Sequence, residues 1–568
     1  MKKSIVYDLC IVGSGAGAGP VAYELALAGF KVVVLEKGPW IQTKDFTKDE
    51  ILTSRRNVYS SNLRDEPQLI EKKNAHGEWV KQSNYITGQD MWNGNCVGGS
   101  SNFMSGYFNR LKPTDFKLLS TYGPIPEANI VDWPIQYEDL EPYYTKVEKV
   151  LGVSGKVVPH PNQEPRSTID FPYPPLAENI AAKWIDKAAD QLQFQVIPLP
   201  RAILSRPDGS RNACYYSGYC GSYGCSSDAK GSSRAALLNK AIETGNLTII
   251  PNAKVYFLEE ENKKVKAAWY YNMEGNQQKI EARIFNVAAQ AVETSRLLLM
   301  SESENFPNGL ANKNGLVGKN LIFSGGGSGS GEIHKSDLSN DDWIQLKAFG
   351  IYVNRTMHQW YEIEEEPFEN PVKGGTIDFL MEHNNAITRA IHQKWDEEGN
   401  LVYGSALKEK LKHYFTELRT INFEVFVDWL PTDDCYVKLA DDLYDKWGDP
   451  VAHIRLNSHP RDVQVGEVVA SKAIEILEAI GAINVYSNIS TSPPPNLMAG
   501  GCRFGNDPKT SVLNQKCRAH EVENLYITDG SWIPTGGSVT HTWTIYANSF
   551  RVAEFIKADL RLIENQYK

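Results

Sequence analysis

The run Gly13-Ser14-Gly15-Ala16-Gly17-Ala18, set between an apolar segment and a helix-like one, restricts the fold of this chain more than any other feature. Residues 5–12 read as a short strand buried on both faces, and the text after the glycines is helix-like as far as Ala28. Gly29 stops that helix, residues 31–35 read as a second strand, and Glu36 stands at its end. This is the order of a βαβ unit, in which a glycine-rich turn has a physical use. The first glycine permits the tight turn, and the second lets backbone amides approach a pyrophosphate resting on the helix N-terminus. Ala18 takes the third small position, and Glu36 is placed to accept hydrogen bonds from the ribose hydroxyls of an adenosine. The prediction is an α/β chain with a Rossmann-like dinucleotide-binding domain. Gly13, Gly15, Ala16, Gly17, Ala18, Glu36 and the adjoining Lys37 are its candidate nucleotide contacts.

At about 150 residues per domain, 568 residues correspond to three or four domain equivalents, a size that two large interleaved domains also satisfy. With 42% hydrophobic and 23% charged residues the chain is neither disordered nor collagen-like. No run approaches the roughly 18 uninterrupted apolar residues of a membrane helix, so membrane contact is expected only through partners. Lysine and arginine minus aspartate and glutamate is 59 − 69 = −10, with no basic block, which argues against a nucleic-acid surface. Lys2 and Lys3 precede apolar residues as in an export signal, but Asp8 interrupts at once, and a buried first strand is the better reading. Eight cysteines are too sparse for a disulfide scaffold. The sequence alone therefore suggests an acidic, cytoplasmic enzyme.

Two discontinuous domains are expected. Residues 1–45, 90–110, 201–325 and 495–568 would build the nucleotide-binding domain. Residues 46–89, 111–200 and 326–494 would build an α+β substrate or cap domain on an antiparallel sheet. Helices are expected over residues 137–151, 229–244, 293–300, 464–480 and 541–560, and strands over residues 248–257, 264–271, 284–289, 420–429, 451–456 and 525–528. The run Gly325 to Gly331 (GGGSGSG) reads as a chain crossover or a flexible linker.

Three further stretches decide which dinucleotide is held: Gly98-Gly99-Ser100-Ser101, residues 287–299 (VAAQAVETSRLLL), and Asp529-Gly530-Ser531 with Pro534. At these relative positions the chain resembles the glucose–methanol–choline family of flavin oxidoreductases. The resemblance implies FAD, with Gly98, Gly99, Ser100, Ser101 and Asn102 along the flavin and pyrophosphate, and Asp529 at the pyrophosphate–ribitol region. It places Val255, Ala288, Gly530 and Thr540 among the other cofactor contacts. Residues 97–103 and 110–116, with the cysteine segment and Ala229-Lys230-Gly231-Ser232, look like the large subunit of gluconate 2-dehydrogenase and its sugar-dehydrogenase relatives. Several of those relatives carry a histidine in the first loop, where a covalent flavin bond forms. Phe103 stands there in this chain, which argues for non-covalent FAD.

Cys214, Cys220 and Cys225 fall within twelve residues. A zinc site usually needs four ligands, and no histidine lies within thirty residues to complete one. Three thiolates suit a [3Fe–4S] cluster, as in the sugar dehydrogenases that the segment resembles. The alternative is three unliganded thiols, or one disulfide with a spare.

Oxidising a carbinol carbon requires the hydroxyl proton to leave, so a base titrating near working pH must touch it. Of eleven histidines, His541 follows the loop Thr535 to Thr540 and opens the terminal helix, where the family carries a flavin-facing His or Asn. His520 reads instead as part of a solvated turn. The usual partner histidine is missing. Asn496 is the nearest polar residue, and Cys502 falls where the pyranose oxidases have a catalytic His. Asn548 shares the helical face of His541 but lies about 10 Å along the axis. The implied activity is an FAD-dependent dehydrogenase of a sugar, sugar acid or glycoside. It would pass electrons through the cluster to a cytochrome c or other acceptor, with a small subunit as partner and co-export to the periplasm as that subgroup allows. An oxidase with structural cysteines and a non-catalytic electron-transfer subunit are the alternatives. Trp343, Trp360, Phe368 and Trp429 suit either sugar stacking or core packing.

Overall fold

The glycine-rich turn leaves strand Tyr7–Val12, whose last four residues are buried. The computed structural model describes residues 7–53, 62–88, 91, 93–396, 398–492 and 496–566, so Ile5 and Val6 of the expected strand lie outside the described residues. Tyr7–Val12 pairs in parallel with Val32–Leu35 on one side and Gln277–Val287 on the other. Leu247–Ile250 and Leu525–Ile527 extend this parallel sheet at its two edges. Their near-continuous Val, Ile and Leu content is what strands covered on both faces require. The first half of Gln277–Val287 carries an antiparallel arm, Lys264–Tyr271 and then Lys254–Glu261. The strand expected over residues 248–257 is thus two strands, broken at Asn252, which takes the left-handed φ of 54°.

Helix Gly19–Leu27 covers one face of that sheet and packs on the long terminal helix Thr542–Gln566, with Val21, Ala22, Leu25, Phe550, Ala553 and Ile556 in one core. Helix Tyr137–Leu151 runs as the sequence predicts and docks on the terminal helix, where the Tyr144 and Thr544 hydroxyls are 2.8 Å apart. The helix expected over residues 229–244 is a wide-turned segment, Ser233–Leu238, followed by one turn, Asn239–Ile242.

The second layer is a six-stranded antiparallel sheet in the order Ile483–Ile489, Ser324–His334, Leu418–Asp428, Gly375–Met381, Arg355–Met357 and Ile197–Pro198. Side chains alternate across it. Ile421, Phe423, Val425 and Val427, with Ile377, Phe379 and Met381, bury one face against helix Pro460–Ala479. The glycine run is neither crossover nor linker. It lies inside Ser324–His334, paired from Ser324 opposite Asp428 to His334 opposite Leu418, and on its other side with Ile483–Ile489. The glycines are there for close approach: a Cβ on Gly329 would stand 2.2 Å from the Phe423 ring and 2.4 Å from the Tyr486 carbonyl oxygen. Trp343, Trp360 and Trp429 are 6%, 8% and 1% exposed within hydrophobic cores, and Phe368 packs on the same core as the first two. Core packing is therefore their role.

A further mixed sheet joins Ala499–Gly501, Lys319–Ile322, Tyr436–Tyr444, Pro450–Arg455, Leu69–Lys73 and Trp79–Ser83, so the stretch 46–90 is less irregular than its polarity suggests. Among the described residues no helix is long and apolar enough to cross a membrane.

Candidate active site

The carboxyl ends of the parallel strands open into a cavity of about 440 Å³. Two groups of side chains line it. Val12 to Gly17, Glu36, Lys37, Val255, Ala288, Gln290 and Asp529 come from the parallel sheet and its loops. Ser105, Ser222, His383, Asn385, Glu424, Asn496, Leu497 and His541 close the other part.

The glycines divide the work of the turn. Gly13 has a φ of 91°, and a Cβ there would lie 2.3 Å from the Ala288 carbonyl oxygen. A Cβ on Gly17 would lie 2.5 Å from the Thr528 carbonyl oxygen. Both positions need glycine so that the turn can pack against the neighbouring strands. Gly15 is different, because a Cβ there would meet nothing within 4 Å. It faces the open cavity, leaving its backbone bare to a pyrophosphate. Ser14, which motif reasoning passes over, ties the pieces together. Its hydroxyl donates to Glu36 Oε2 at 2.5 Å and accepts from the Gly98 amide at 2.9 Å.

Glu36 is 6% exposed and also accepts from the Gly38 amide at 2.8 Å. Burial pushes its carboxyl up, against the hydrogen bonds from Ser14 and Gly38 and the charge of Lys37. Lys37 itself lies 2.8 Å from Glu66. Asp529 is held by the Ser531 amide at 2.8 Å, the Gln290 amide at 3.1 Å and the Thr294 hydroxyl. Gln290, also unsignalled in the sequence, adopts a φ of 84° and caps helix Ala291–Met300 by accepting from the Val292 and Glu293 amides. The open cradle at Gly15 and the carboxylate at the end of the second strand fit a dinucleotide.

Not every expected contact reaches the cavity. Ser100, Ser101, Val255, Ala288 and Gly530 line it, as does Gly99, whereas Ala18, Gly98, Asn102 and Thr540 stand behind the lining. Asn102 braces its loop by donating to the Val97 carbonyl at 2.9 Å, and Thr540 donates to the Tyr107 carbonyl at 3.1 Å. Phe103 lines the cavity and meets Phe46 edge-on at 6.1 Å.

His541 is 2% exposed, and no side chain among the described residues hydrogen-bonds its ring, which has the Leu497 backbone beside it. Burial pushes its pKa down to about 4, helped by the charge of Lys373 and opposed by the Leu497 backbone. The imidazole is thus neutral at pH 7 inside the cavity, though it titrates well below the working pH expected of the base. Asn496 lines the same cavity beside Leu497, which takes a φ of 56°. Cys502 does not line it: the thiol is fully buried, with its pKa pushed well up by burial and by Asp529. Asn548 is likewise buried and donates to Cys517 Sγ at 3.2 Å. His520, half-buried rather than solvated, lies 3.0 Å from the Ser511 hydroxyl.

Cys214, Cys220 and Cys225 pack into one small core. The Tyr352 hydroxyl lies 3.0 Å from Cys220 Sγ and 3.9 Å from Cys214 Sγ, while Cys225 Sγ lies 3.4 Å from the Ser227 hydroxyl. Burial and neighbouring Cys220 push Cys214 up to about 11. Burial pushes Cys225 up too, but Lys230 and Ser227 outweigh it and leave that thiol below its ordinary value. Among the described residues no three His, Cys, Asp or Glu side chains are grouped to hold a metal ion. As arranged, with Tyr352 shared between two of the thiols, the segment gives the expected [3Fe–4S] cluster no support.

Comparison with known proteins agrees with the cradle. Two family models, both described as GMC oxidoreductase, match residues 86–323 and 431–549. The 2-methyl-1,2-propanediol dehydrogenase of Mycolicibacterium austroafricanum is 29% identical, covering 97% of this chain and 95% of that protein. The fructose dehydrogenase large subunit of Gluconobacter japonicus is 26% identical with 99% of each covered, and the gluconate 2-dehydrogenase flavoprotein of Pantoea cypripedii is 23% identical with 97% and 93% covered. Formate oxidase of Aspergillus oryzae RIB40 shares the fold with a TM-score of 0.64 at 13% identity, over 98% of this chain and 99% of that one. The chain belongs to the GMC oxidoreductases, FAD-dependent enzymes that act on CH–OH groups.

Proposed function

We propose that this protein is a dehydrogenase of a sugar or related polyol, and that His541 takes the hydroxyl proton. One observation carries the reading: a buried, neutral imidazole that no side chain hydrogen-bonds lines the same cavity as the Gly15 cradle. Bound FAD would supply the hydride acceptor. The backbone of residues 13–17 would hold its pyrophosphate, Glu36 its ribose, and Ser100, Ser101, Asp529 and Gly530 the region nearer the flavin. The substrate hydroxyl would point at His541, and burial keeps that ring unprotonated before each turnover. Asn496, unable to act as a base, would orient the hydroxyl by hydrogen bonding. Phe103 offers no nucleophile for a covalent bond, so FAD would be held non-covalently.

Electrons would then leave to an acceptor protein. The large-subunit designation of the Gluconobacter relative supports a partner subunit, and with it a small subunit and a cytochrome-type acceptor. The cysteine segment reaches the cofactor cavity through Ser222, whose amide donates to the Phe103 carbonyl at 2.9 Å. No step is assigned to an iron–sulfur cluster, for which the thiols as arranged give no support. Anaerobic mixing of the FAD-loaded protein with D-fructose, D-glucose or 1,2-propanediol tests the reading. Bleaching of the flavin by at least one of them is the expected result, and bleaching by none would overturn it.

A further inference from the structure

The antiparallel sheet carries one row of polar side chains that its own packing does not use. Ser328 lies directly opposite both Asn488 and Glu424, Glu424 opposite Asp378, and Asp378 opposite Thr356. Residues so opposed project from the same face, here the face turned away from the Phe423 and Val425 core. The row runs from solvent inward. Asn488 and Ser328 are exposed, Glu424 is half-buried, and Asp378 and Thr356 are fully buried.

Glu424 lines the same cavity as His541. Behind it, Asp378 is 0% exposed, and the Thr356 hydroxyl directly opposite is the one group placed to hydrogen-bond its carboxylate. One hydroxyl leaves a buried carboxyl short of partners, which is costly, and natural folds rarely keep such a group without a use. Burial pushes the Asp378 carboxyl up to about 7, against the Thr356 hydroxyl and the Arg201 charge, with Glu424 adding to the rise. Burial pushes Glu424 up as well, against the nearby Tyr107 hydroxyl and the Arg201 charge. Arg201 itself stacks over the Tyr107 ring at 4.5 Å, donates to Asn354 at 2.6 Å and does not line the cavity. The wall that a substrate meets is therefore a carboxylate backed by a second carboxyl.

We propose that Glu424, supported by Asp378, selects the substrate by accepting hydrogen bonds from hydroxyls of an uncharged polyol and by repelling the carboxylate of a sugar acid. This rests on the polyol-dehydrogenase reading and narrows it. A carboxylate only accepts, and its two oxygens match two neighbouring hydroxyl donors. A sugar acid would bring a second negative charge into an enclosed space, where like charges repel more strongly than in water.

The test uses the oxidised, FAD-loaded protein and two probes of the same chain length, D-glucitol and D-gluconate, titrated by calorimetry. Wild type should bind glucitol more tightly than gluconate. Glu424→Gln keeps the shape but loses the charge, and should weaken glucitol about tenfold while narrowing the gap to gluconate; tenfold is about 1.4 kcal/mol. Wild type preferring gluconate, or Glu424→Gln leaving the ratio of the two affinities unchanged, would overturn the proposal. Flavin bleaching is scored separately. Absence of bleaching alongside a charge-dependent binding ratio would sink the dehydrogenase reading and leave the assignment of Glu424 standing.

Discussion

Replacing His541 by alanine removes the imidazole proposed to take the hydroxyl proton. A positioned general base typically contributes 10²–10⁴-fold, equivalent to about 2.7–5.5 kcal/mol of barrier at roughly 1.36 kcal/mol per decade. The structure favours a clean experiment. No side chain hydrogen-bonds the ring, so truncation releases only the contact with the Leu497 backbone, and the vacated volume merges with a cavity of about 440 Å³ that is already there. FAD binding should survive, because Gly15, Glu36 and Asp529 are untouched. Stopped-flow flavin reduction under anaerobic conditions, across pH, is the assay. The wild-type rate constant should be flat at neutral pH and fall only as pH drops toward about 4, where the buried ring takes up a proton and can no longer accept one. A base of ordinary histidine pKa would instead lose rate below about 6.5. Alanine should lower the plateau by the factor above and abolish the acid limb. A mutant within about fivefold of wild type that retains the limb would show that the base lies elsewhere.

Two glycines of the turn should separate folding from cofactor binding: Gly17→Ala drives a Cβ to 2.5 Å from a backbone carbonyl oxygen and should lower the melting temperature, whereas Gly15→Ala should leave the melting temperature of the FAD-free protein unchanged and weaken FAD at least tenfold by flavin fluorescence titration. Acid precipitation of the loaded protein should release all the flavin into the supernatant, and colour retained on the denatured chain would refute non-covalent binding. Iron analysis of anaerobically purified protein should find far less than three irons per chain. A stoichiometric signal lost in Cys220→Ser would show that the thiols regroup away from Tyr352.

The nucleotide half was legible because its chemistry is local. Gly13, Gly15, Gly17 and Glu36 lie within 24 residues, and their spacing is set by one turn and one strand end. Ser14 escaped because a serine in a glycine loop carries no pattern; only its contacts with both Glu36 and Gly98 reveal it. His541 could be singled out by its place after a glycine loop, but its depressed pKa could not, since that arises from burial. The cysteines show the limit of spacing. Their spacing suggests a ligand set, yet spacing says nothing of Tyr352, which lies over 120 residues away in sequence and takes the hydrogen bond.

The glycine run is where composition misled most, and its true role bears on the substrate wall. A stretch of glycine and serine reads as flexible because unpaired glycine is so. Between two strands its meaning reverses, since removing side chains lets neighbouring backbones and rings close in. Gly329 admits the Phe423 ring, and a Cβ on Gly327 would stand 2.1 Å from the Asn488 carbonyl oxygen. Those contacts fix the register that sets Ser328 opposite both Asn488 and Glu424. Because the side-chain period of a strand is two, a slip of one residue would turn Glu424 into the apolar core and Phe423 or Val425 toward the cavity. The glycines therefore hold the carboxylate on the substrate side of the sheet without touching substrate themselves.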